Sequence, residues 1–277
     1  MTKITLLLSA LGLSTLSLVN AAPVARSNPT KRGLAYNDNG KDGFTSLYNA
    51  QQVSWKYNWG SATSVKGDGI KYVPLLHGNQ DMHTKSWSAD VDKAVAAGSS
   101  EVMSFNEPDQ CDWKGIPTGG SCITDPAVAA AAHKQHVQSL LEKHSDLRIG
   151  APAVTNGALS PVNTLMGSAY LKAFLAACDG CKIDFVVTHW YDAGDNVAWF
   201  KKHLLDVYEA GGKRPVWLTE FAATSGDNVK FLNDVLPWLD QQDWIERYAY
   251  HWLQKGSLVT GDGAALSPLG SAYGTIG

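Results

Sequence analysis

The chain lacks a basic face. It carries 23 lysines and arginines against 26 aspartates and glutamates, a formal net charge of −3. Residues 1–32 hold Lys3, Arg26, Lys31 and Arg32 and no acid, so without these four the charge falls to −7. An acidic domain without a basic footprint is not built for nucleic acid and suits a neutral substrate. No long apolar run closes the chain, so no second membrane span and no lipid-anchor tail is expected. No G-x-S-x-G elbow precedes a helix, which removes the nucleophile signal of an α/β-hydrolase. No glycine-rich phosphate loop follows the first strand-like run. No Asn-x-Ser/Thr sequon has a permitted middle residue. There is no repeat of solenoid period and no interdomain linker, so one domain is expected.

Cysteine is scarce too, with four residues in two local pairs. Cys111 and Cys122 bracket a loop, and Cys178-Asp179-Gly180-Cys181 is a C-x-x-C just before a strand-like run. Structural disulfides are expected, with crossed pairings left open. Neither a second pair nor a histidine cluster has zinc-finger spacing, so no metal and no cofactor are expected. His133 and His136 share a helix face at i,i+3, but no carboxylate partner is evident, and we expect a solvated face.

The N-terminus reads as a targeting segment. Lys3 supplies a positive start, Leu6 to Leu18 an apolar stretch, and Val19-Asn20-Ala21 a small-residue cleavage site. We expect a secretory signal over residues 1–21, a pro-segment over 22–32 ending at the dibasic Lys31-Arg32, and a catalytic domain over 33–277.

After Arg32, strand-like runs alternate with helix-like runs, the pattern of a parallel α/β domain. Eight strands are expected, at Gly33–Asn37, Val53–Trp59, Lys71–His77, Glu101–Asn106, Arg148–Val154, Asp184–Tyr191, Val216–Phe221 and Arg247–Trp252. Eight strands in this length fit a single-domain (β/α)₈ TIM barrel. Such barrels place chemistry where strands meet the following loops. There the sequence puts Asn37, Trp59, His77, Asn106 with Glu107, Thr155 with Asn156, His189 with Trp190 and Tyr191, Glu220 with Phe221, and Trp252. This set is polar and aromatic, matching the hydroxyls and C–H faces of a sugar. Alternation that turns Glu220 inward would turn Trp217 outward, toward the helices.

Two strand-end acids, Glu107 and Glu220, are what glycoside hydrolysis needs: one protonates the leaving oxygen, the other attacks the sugar or activates water. Glu220 has to be ionised, with Asn106 or His189 as donors. Glu107 has to keep its proton, helped by a negative neighbour and partial burial.

Six segments give a specific resemblance. They are Gly33-Leu34-Ala35-Tyr36-Asn37, Ser54-Trp55-Lys56-Tyr57-Asn58-Trp59, Val73-Pro74-Leu75-Leu76-His77, Ser104-Phe105-Asn106-Glu107-Pro108-Asp109, Thr188-His189-Trp190-Tyr191 and Trp217-Leu218-Thr219-Glu220-Phe221. In this order they resemble glycoside hydrolase family 128, the fungal alkali-sensitive-linkage-like proteins, and Leu266–Tyr273 extends the likeness. The resemblance implies a barrel with acids after strands four and seven and retaining hydrolysis of β-1,3-glucan. It implies Glu107 as acid/base, Glu220 as nucleophile and Asn106 as the amide beside the sugar 2-hydroxyl. Trp59, Trp190 or Tyr191, and Trp252 match sugar-binding positions. We expect a secreted or cell-wall endo-β-1,3-glucanase, a monomer whose partner is β-1,3-glucan or its oligosaccharides. The rival readings are a glucan binder without catalysis and a β-1,4-glucanase or mannanase of the same clan.

Overall fold

The computed structural model describes residues 30–38, 43–112, 114–159 and 164–276, together with Met1. The expected signal and most of the expected pro-segment lie outside the described residues.

Eight strands run parallel: β1 (Arg32–Tyr36), β2 (Trp55–Tyr57), β3 (Lys71–Tyr72), β4 (Glu101–Val102), β5 (Arg148–Val154), β6 (Phe185–Ala193), β7 (Val216–Ser225) and β8 (Ile245–Leu253). Their order is β3-β2-β1-β8-β7-β6-β5-β4. The two ends meet where Leu75 bridges Met103. Met103 N donates to Pro74 O at 2.9 Å and Leu76 N to Met103 O at 3.1 Å. The sheet thereby closes, as expected for a (β/α)₈ barrel. Strands β3 and β4 are shorter than expected because Pro74 brings no N–H to the ladder. Beyond it the pairing continues only as single bridges, Leu75 with Met103 and Asn106 with Ala153.

Helices fill the connections. After β3 come α1 (Asp81–Thr84) and α2 (Trp87–Ala96), and after β4 comes α3 (Pro126–His136). After β5 to β8 come α4 (Gly167–Ala177), α5 (Val197–Ala210), α6 (Asn228–Gln241) and α7 (Pro268–Thr275). Asp125 caps α3 by accepting from Ala127 N, with Pro126 in the first turn. Asp227 caps α6 by accepting from Val229 N and Lys230 N. The described part of the β2–β3 connection carries no helix. A cavity of about 880 Å³ opens there, between Thr63, Asp68 and Tyr72 and the α2 side chains of Asp90 and Ala94.

The barrel interior is tiered. At the N-terminal ends of the strands, Glu101 accepts from Arg247 at 2.8 Å, and Glu246 takes both Arg148 terminal nitrogens at 2.6 and 2.7 Å. Above lie Trp55, Tyr57, Leu75, Met103, Phe185, Val187 and Trp217, all fully buried. Gly33 is required beside them, since a Cβ there would meet the Trp55 ring at 2.2 Å. Trp217 corrects an expectation. It points into the barrel, stacked on Phe185 at 3.9 Å with the Arg247 guanidinium 4.4 Å above its ring. The cause is an irregularity in β7. Thr188 pairs with Leu218 but His189 pairs with Glu220, so Thr219 is an extra residue. Such a bulge shifts the alternation, and Trp217 and Glu220 both face the axis.

Between barrel and helices, two buried histidines pin helices to strands. His133 on α3 holds Ser104 through Nδ1 at 2.9 Å, and His203 on α5 holds the Thr188 hydroxyl at 2.8 Å. His133 is therefore not on a solvated face: it is fully buried, edge-on to Phe105 and Phe174, while His136 is half-buried. Burial lowers His133 to about 3 and His203 to about 4. The unfolded chain takes up these protons first, so this stability is complete above about pH 6.5 and is lost as pH falls toward 4 and 3. Each histidine costs about 1.4 kcal/mol per pH unit over its window. Thermal melts should show Tm falling from pH 6.5 to pH 4. Replacing both histidines with Gln should lower Tm at pH 7 and flatten that slope; an unchanged slope would contradict the assignment.

The dibasic pair of the expected processing site is built into the barrel. Lys31 Nζ donates to the Leu239, Asp240 and Gln242 carbonyls at 3.2, 3.1 and 2.7 Å. Arg32 opens β1, buried, and donates to Tyr248 Oη at 2.8 Å, Tyr273 O at 2.9 Å and Asp240 Oδ2 at 3.1 Å. Cleavage after Arg32 would remove this guanidinium and leave Asp240 with the Tyr248 hydroxyl as its donor, at 2.8 Å. Arg32→Ala should cost about 3 kcal/mol in denaturant unfolding. N-terminal sequencing of the purified protein should find a start upstream of Lys31.

Candidate active site

Glu107 is presented by a sharp turn after β4. Its φ of 38° lies in the left-handed region, uncommon for a residue with a side chain. Backbone bonds hold it there: Glu107 N donates to Ala153 O at 2.9 Å and Gln110 N to Glu107 O at 3.1 Å. The loop closed by the Cys111–Cys122 disulfide returns against the turn. Gly120 makes this approach possible, since a Cβ there would stand 2.3 Å from Glu107 O. Ser121 N donates to Asn106 O at 2.7 Å, and Asn106 Nδ2 to Gly119 O at 3.2 Å. The Oδ1 of Asn106 is buried without a hydrogen-bond partner among the described residues. A sugar hydroxyl could donate to it. The second disulfide, Cys178–Cys181, stands at the end of α4; of the pairings the sequence left open, the structure has the two local ones.

The β7 bulge presents Glu220 and Thr219 together, and His189 joins both to Glu107. His189 Nδ1 lies 2.7 Å from Glu107 Oε1, its Nε2 3.0 Å from Thr219 Oγ1 and 3.5 Å from Glu220 Oε1. Trp59 Nε1 donates to Glu220 Oε1 at 2.6 Å, and the Tyr191 hydroxyl donates to Glu220 Oε2. His251 Nε2 stands 3.9 Å from Glu220 Oε2. Tyr57 Oη donates to Thr219 O at 2.8 Å, tying the bulge to the interior tier. Trp252 packs on Trp59 at 5.5 Å and on His251 at 4.9 Å.

The electrostatics follow from this crowding. Burial alone would push Glu220 up, but His189, then His251, then the Tyr191 and Trp59 donors hold it below the usual carboxylate range. Burial alone would lower His189, but Glu220 and Glu107 raise it above its ordinary value. Burial pushes Tyr191 far up, beyond any working pH, so its hydroxyl remains a donor. One proton is held between Glu107 and His189: either the carboxyl donates to Nδ1 or Nδ1–H donates to the carboxylate. Donor atoms of Glu107, His189 and Glu220 lie within 4.8 Å of one another, close enough to hold a metal ion. Both nitrogens of His189 are already engaged, so the three also work as a hydrogen-bonded line.

Of the residues read from the sequence, the structure gathers Asn106, Glu107, His189, Tyr191, Glu220, Trp59 and Trp252. His77 stands half-buried at the end of the β3 segment, its ring 4.8 Å from that of His83. Asn37 follows β1, half-buried. Trp190 and Phe221 are elsewhere. Trp190 stacks on Phe231 at 5.3 Å, and Phe221 meets Tyr250 at 5.4 Å, both fully buried between sheet and helices. They occupy the outward positions of β6 and β7, so neither can meet a sugar. Thr219, His251, Tyr57 and Asp109 were not singled out from the sequence. The first two neighbour flagged residues, which was the available signal; Asp109 closes the Asn-Glu-Pro-Asp run.

A sequence profile described as glycosyl hydrolase catalytic core matches residues 33–273. The chain belongs to this glycosyl hydrolase family. It is 31% identical over 229 residues to Alkali-sensitive linkage protein 1 of Schizosaccharomyces pombe, covering 79% of this chain and 38% of that protein's length. It is similar to a solved curdlan-specific exo-β-1,3-glucanase of glycoside hydrolase family 128, subgroup III, from Blastomyces gilchristii, crystallised with glucose. The TM-score is 0.74 at 36% identity, over 89% of this chain and 98% of that one. It is also similar to a subgroup II endo-β-1,3-glucanase from Sorangium cellulosum, with TM-score 0.72 and 28% identity over 90% and 99% of the chains. The family resemblance read from the sequence is borne out.

Tyr191→Phe and Trp59→Phe each remove a donor that keeps Glu220 ionised. Both should move the acidic limb of the kcat/KM pH profile upward and lower the plateau about tenfold. A limb that stays in place would contradict this electrostatic role.

Proposed function

We propose that this protein is a secreted retaining glycoside hydrolase that cleaves β-1,3-glucan, with Glu107 as acid/base and Glu220 as nucleophile. The observation that carries this reading is the closeness of the two buried carboxyls, with oxygens within 4.8 Å of each other. Retaining enzymes hold their carboxyls about 5–5.5 Å apart, whereas inverting enzymes leave about 6.5–9.5 Å for a water. The solved β-1,3-glucanases similar to this chain support the substrate class.

In the first step Glu220 attacks the anomeric carbon while Glu107 gives its proton to the leaving oxygen. Tyr191 and Trp59 keep Glu220 anionic until then, and both bonds loosen as its charge is spent. Once the glycosyl–enzyme forms, Glu107 takes a proton from water, and the hydroxide attacks the same carbon to free the sugar with its configuration retained. His189 holds Glu107 in place through both steps. Asn106 Oδ1 accepts from the sugar 2-hydroxyl. Trp59 and Trp252 lie against the apolar faces of the sugars. Two disulfides support an extracellular or cell-wall location. The protein acts as a monomer.

Sugar release from laminarin, with products resolved by size, tests the reading. Wild type should release oligomers as a ladder, the sign of internal cleavage; a single short product would mean attack from a chain end. Glu107→Gln and Glu220→Gln should each reduce release by at least about 10³-fold. Wild-type binding without release would make this a glucan binder, and release from β-1,4-glucan instead would assign it to another substrate.

A further inference from the structure

We propose that Asp109 is the positioning residue of the acid/base turn: its carboxylate clamps the turn carrying Glu107 onto the end of β5 and the start of α4. Asp109 is fully buried, two residues beyond Glu107. Its Oδ2 accepts from Thr155 Oγ1 at 2.8 Å, from Thr155 N at 3.1 Å and from Gly167 N at 2.7 Å; Oδ1 also accepts from Thr155 N, at 3.3 Å. Thr155 directly follows β5, and Gly167 begins α4. Three donors from two elements thus converge on one carboxylate.

A buried carboxylate is costly unless it is well bonded, and the turn it serves needs a restraint. Glu107 sits at a φ of 38° that its own side chain disfavours. On one flank Gly120 and the Cys111–Cys122 loop press against the turn. On the other, Glu107 N reaches Ala153 O, two residues before Thr155. Asp109 fastens the turn just beyond this bond, so the turn is held at two points, one on β5 and one directly after it. The restraint matters because general acid catalysis depends on where the carboxyl stands relative to the leaving oxygen. Asp109 touches no substrate in this account and acts only through Glu107. Burial pushes Asp109 up to about 6, a shift opposed by the Gly167 and Thr155 bonds and reinforced by Glu107.

The kinetic part of the test rests on the glucanase reading; a second readout does not. Asp109→Ala removes the clamp, Asp109→Asn keeps its shape and one acceptor oxygen, and Thr155→Val removes the hydroxyl donor. With laminarin, Asp109→Ala should lower kcat at least about 100-fold while KM stays within about threefold. Asp109→Asn should recover to at least a tenth of wild-type kcat, and Thr155→Val should lose about 3–10-fold in kcat with KM unchanged. Independently of turnover, the imidazole ¹⁵N signals of His189 report its bond to Glu107. They should shift in Asp109→Ala and return toward wild type in Asp109→Asn. If Asp109→Ala does not fold, Asp109→Asn and Thr155→Val carry the test through the same signals and the same split between kcat and KM. Folded variants with unchanged His189 signals would overturn the proposal even if wild type released no sugar. Equal losses of binding and turnover, with Asp109→Asn no better than Asp109→Ala, would overturn it too.

Discussion

Two carboxyls within 4.8 Å, buried at one end of a barrel, are the constraint to which the rest of the site answers. Two full negative charges at that distance repel by about 3–4 kcal/mol at an effective dielectric of 20. Burial adds to the cost. A hydrogen bond to a charged group returns only about 1.5–3 kcal/mol, so no single neighbour can hold the pair. The structure uses several. His189 lies between the acids, Tyr191 and Trp59 donate to Glu220, and Glu107 shares a proton with His189. The arrangement makes the acids unequal. Glu220 is held anionic and surrounded by donors, while Glu107 has the imidazole as its proton partner. That asymmetry is what a mechanism with one nucleophile and one proton donor requires.

The barrel supplies this arrangement through backbone irregularities. The bulge at Thr219 lets adjacent residues of β7 share one face, so Thr219 can hold His189 while Glu220 meets it. The left-handed turn at Glu107 and the left-handed Trp59, with φ of 61°, turn two more strand ends toward the same point. Two of these irregularities are accommodated by a neighbour. Tyr57 holds the bulge, and Gly120 makes room at the Glu107 turn. The ion pairs at the opposite end of the barrel, Glu101 with Arg247 and Arg148 with Glu246, close the floor below Trp55 and Trp217. The mouth is therefore supported by a filled interior.

Much of the fold was legible because its signals are local. Strands bounded by glycine, proline and helix caps could be located along the chain, and β5 was expected at the limits it has. The acids stood out as carboxylic residues ending apolar runs. What stayed illegible depended on parity and on contacts distant in sequence. Trp217 was expected to face the helices because a perfect alternation was counted across a bulge that no sequence feature announces. Trp190 and Phe221 are aromatic, next to site residues, and one position out of phase with them, so the core claims them. His133 reads as a surface residue on an alanine-rich helix until Ser104, 29 residues away, supplies its partner. Lys31-Arg32 reads as a protease signal, and its bonds to α6 and β8 come from residues more than 200 positions away.

The central claim is that Glu220 forms a covalent bond to the sugar. A 2-deoxy-2-fluoro laminaribiosyl fluoride slows the second step more than the first, so a covalent glycosyl–enzyme should accumulate. Digestion and mass spectrometry then identify the labelled peptide. The account predicts one added glycosyl group, on the peptide carrying Glu220, and faster loss of the label when an acceptor sugar is supplied. A label on Glu107, or turnover of the fluoride with inversion and no label, would contradict it.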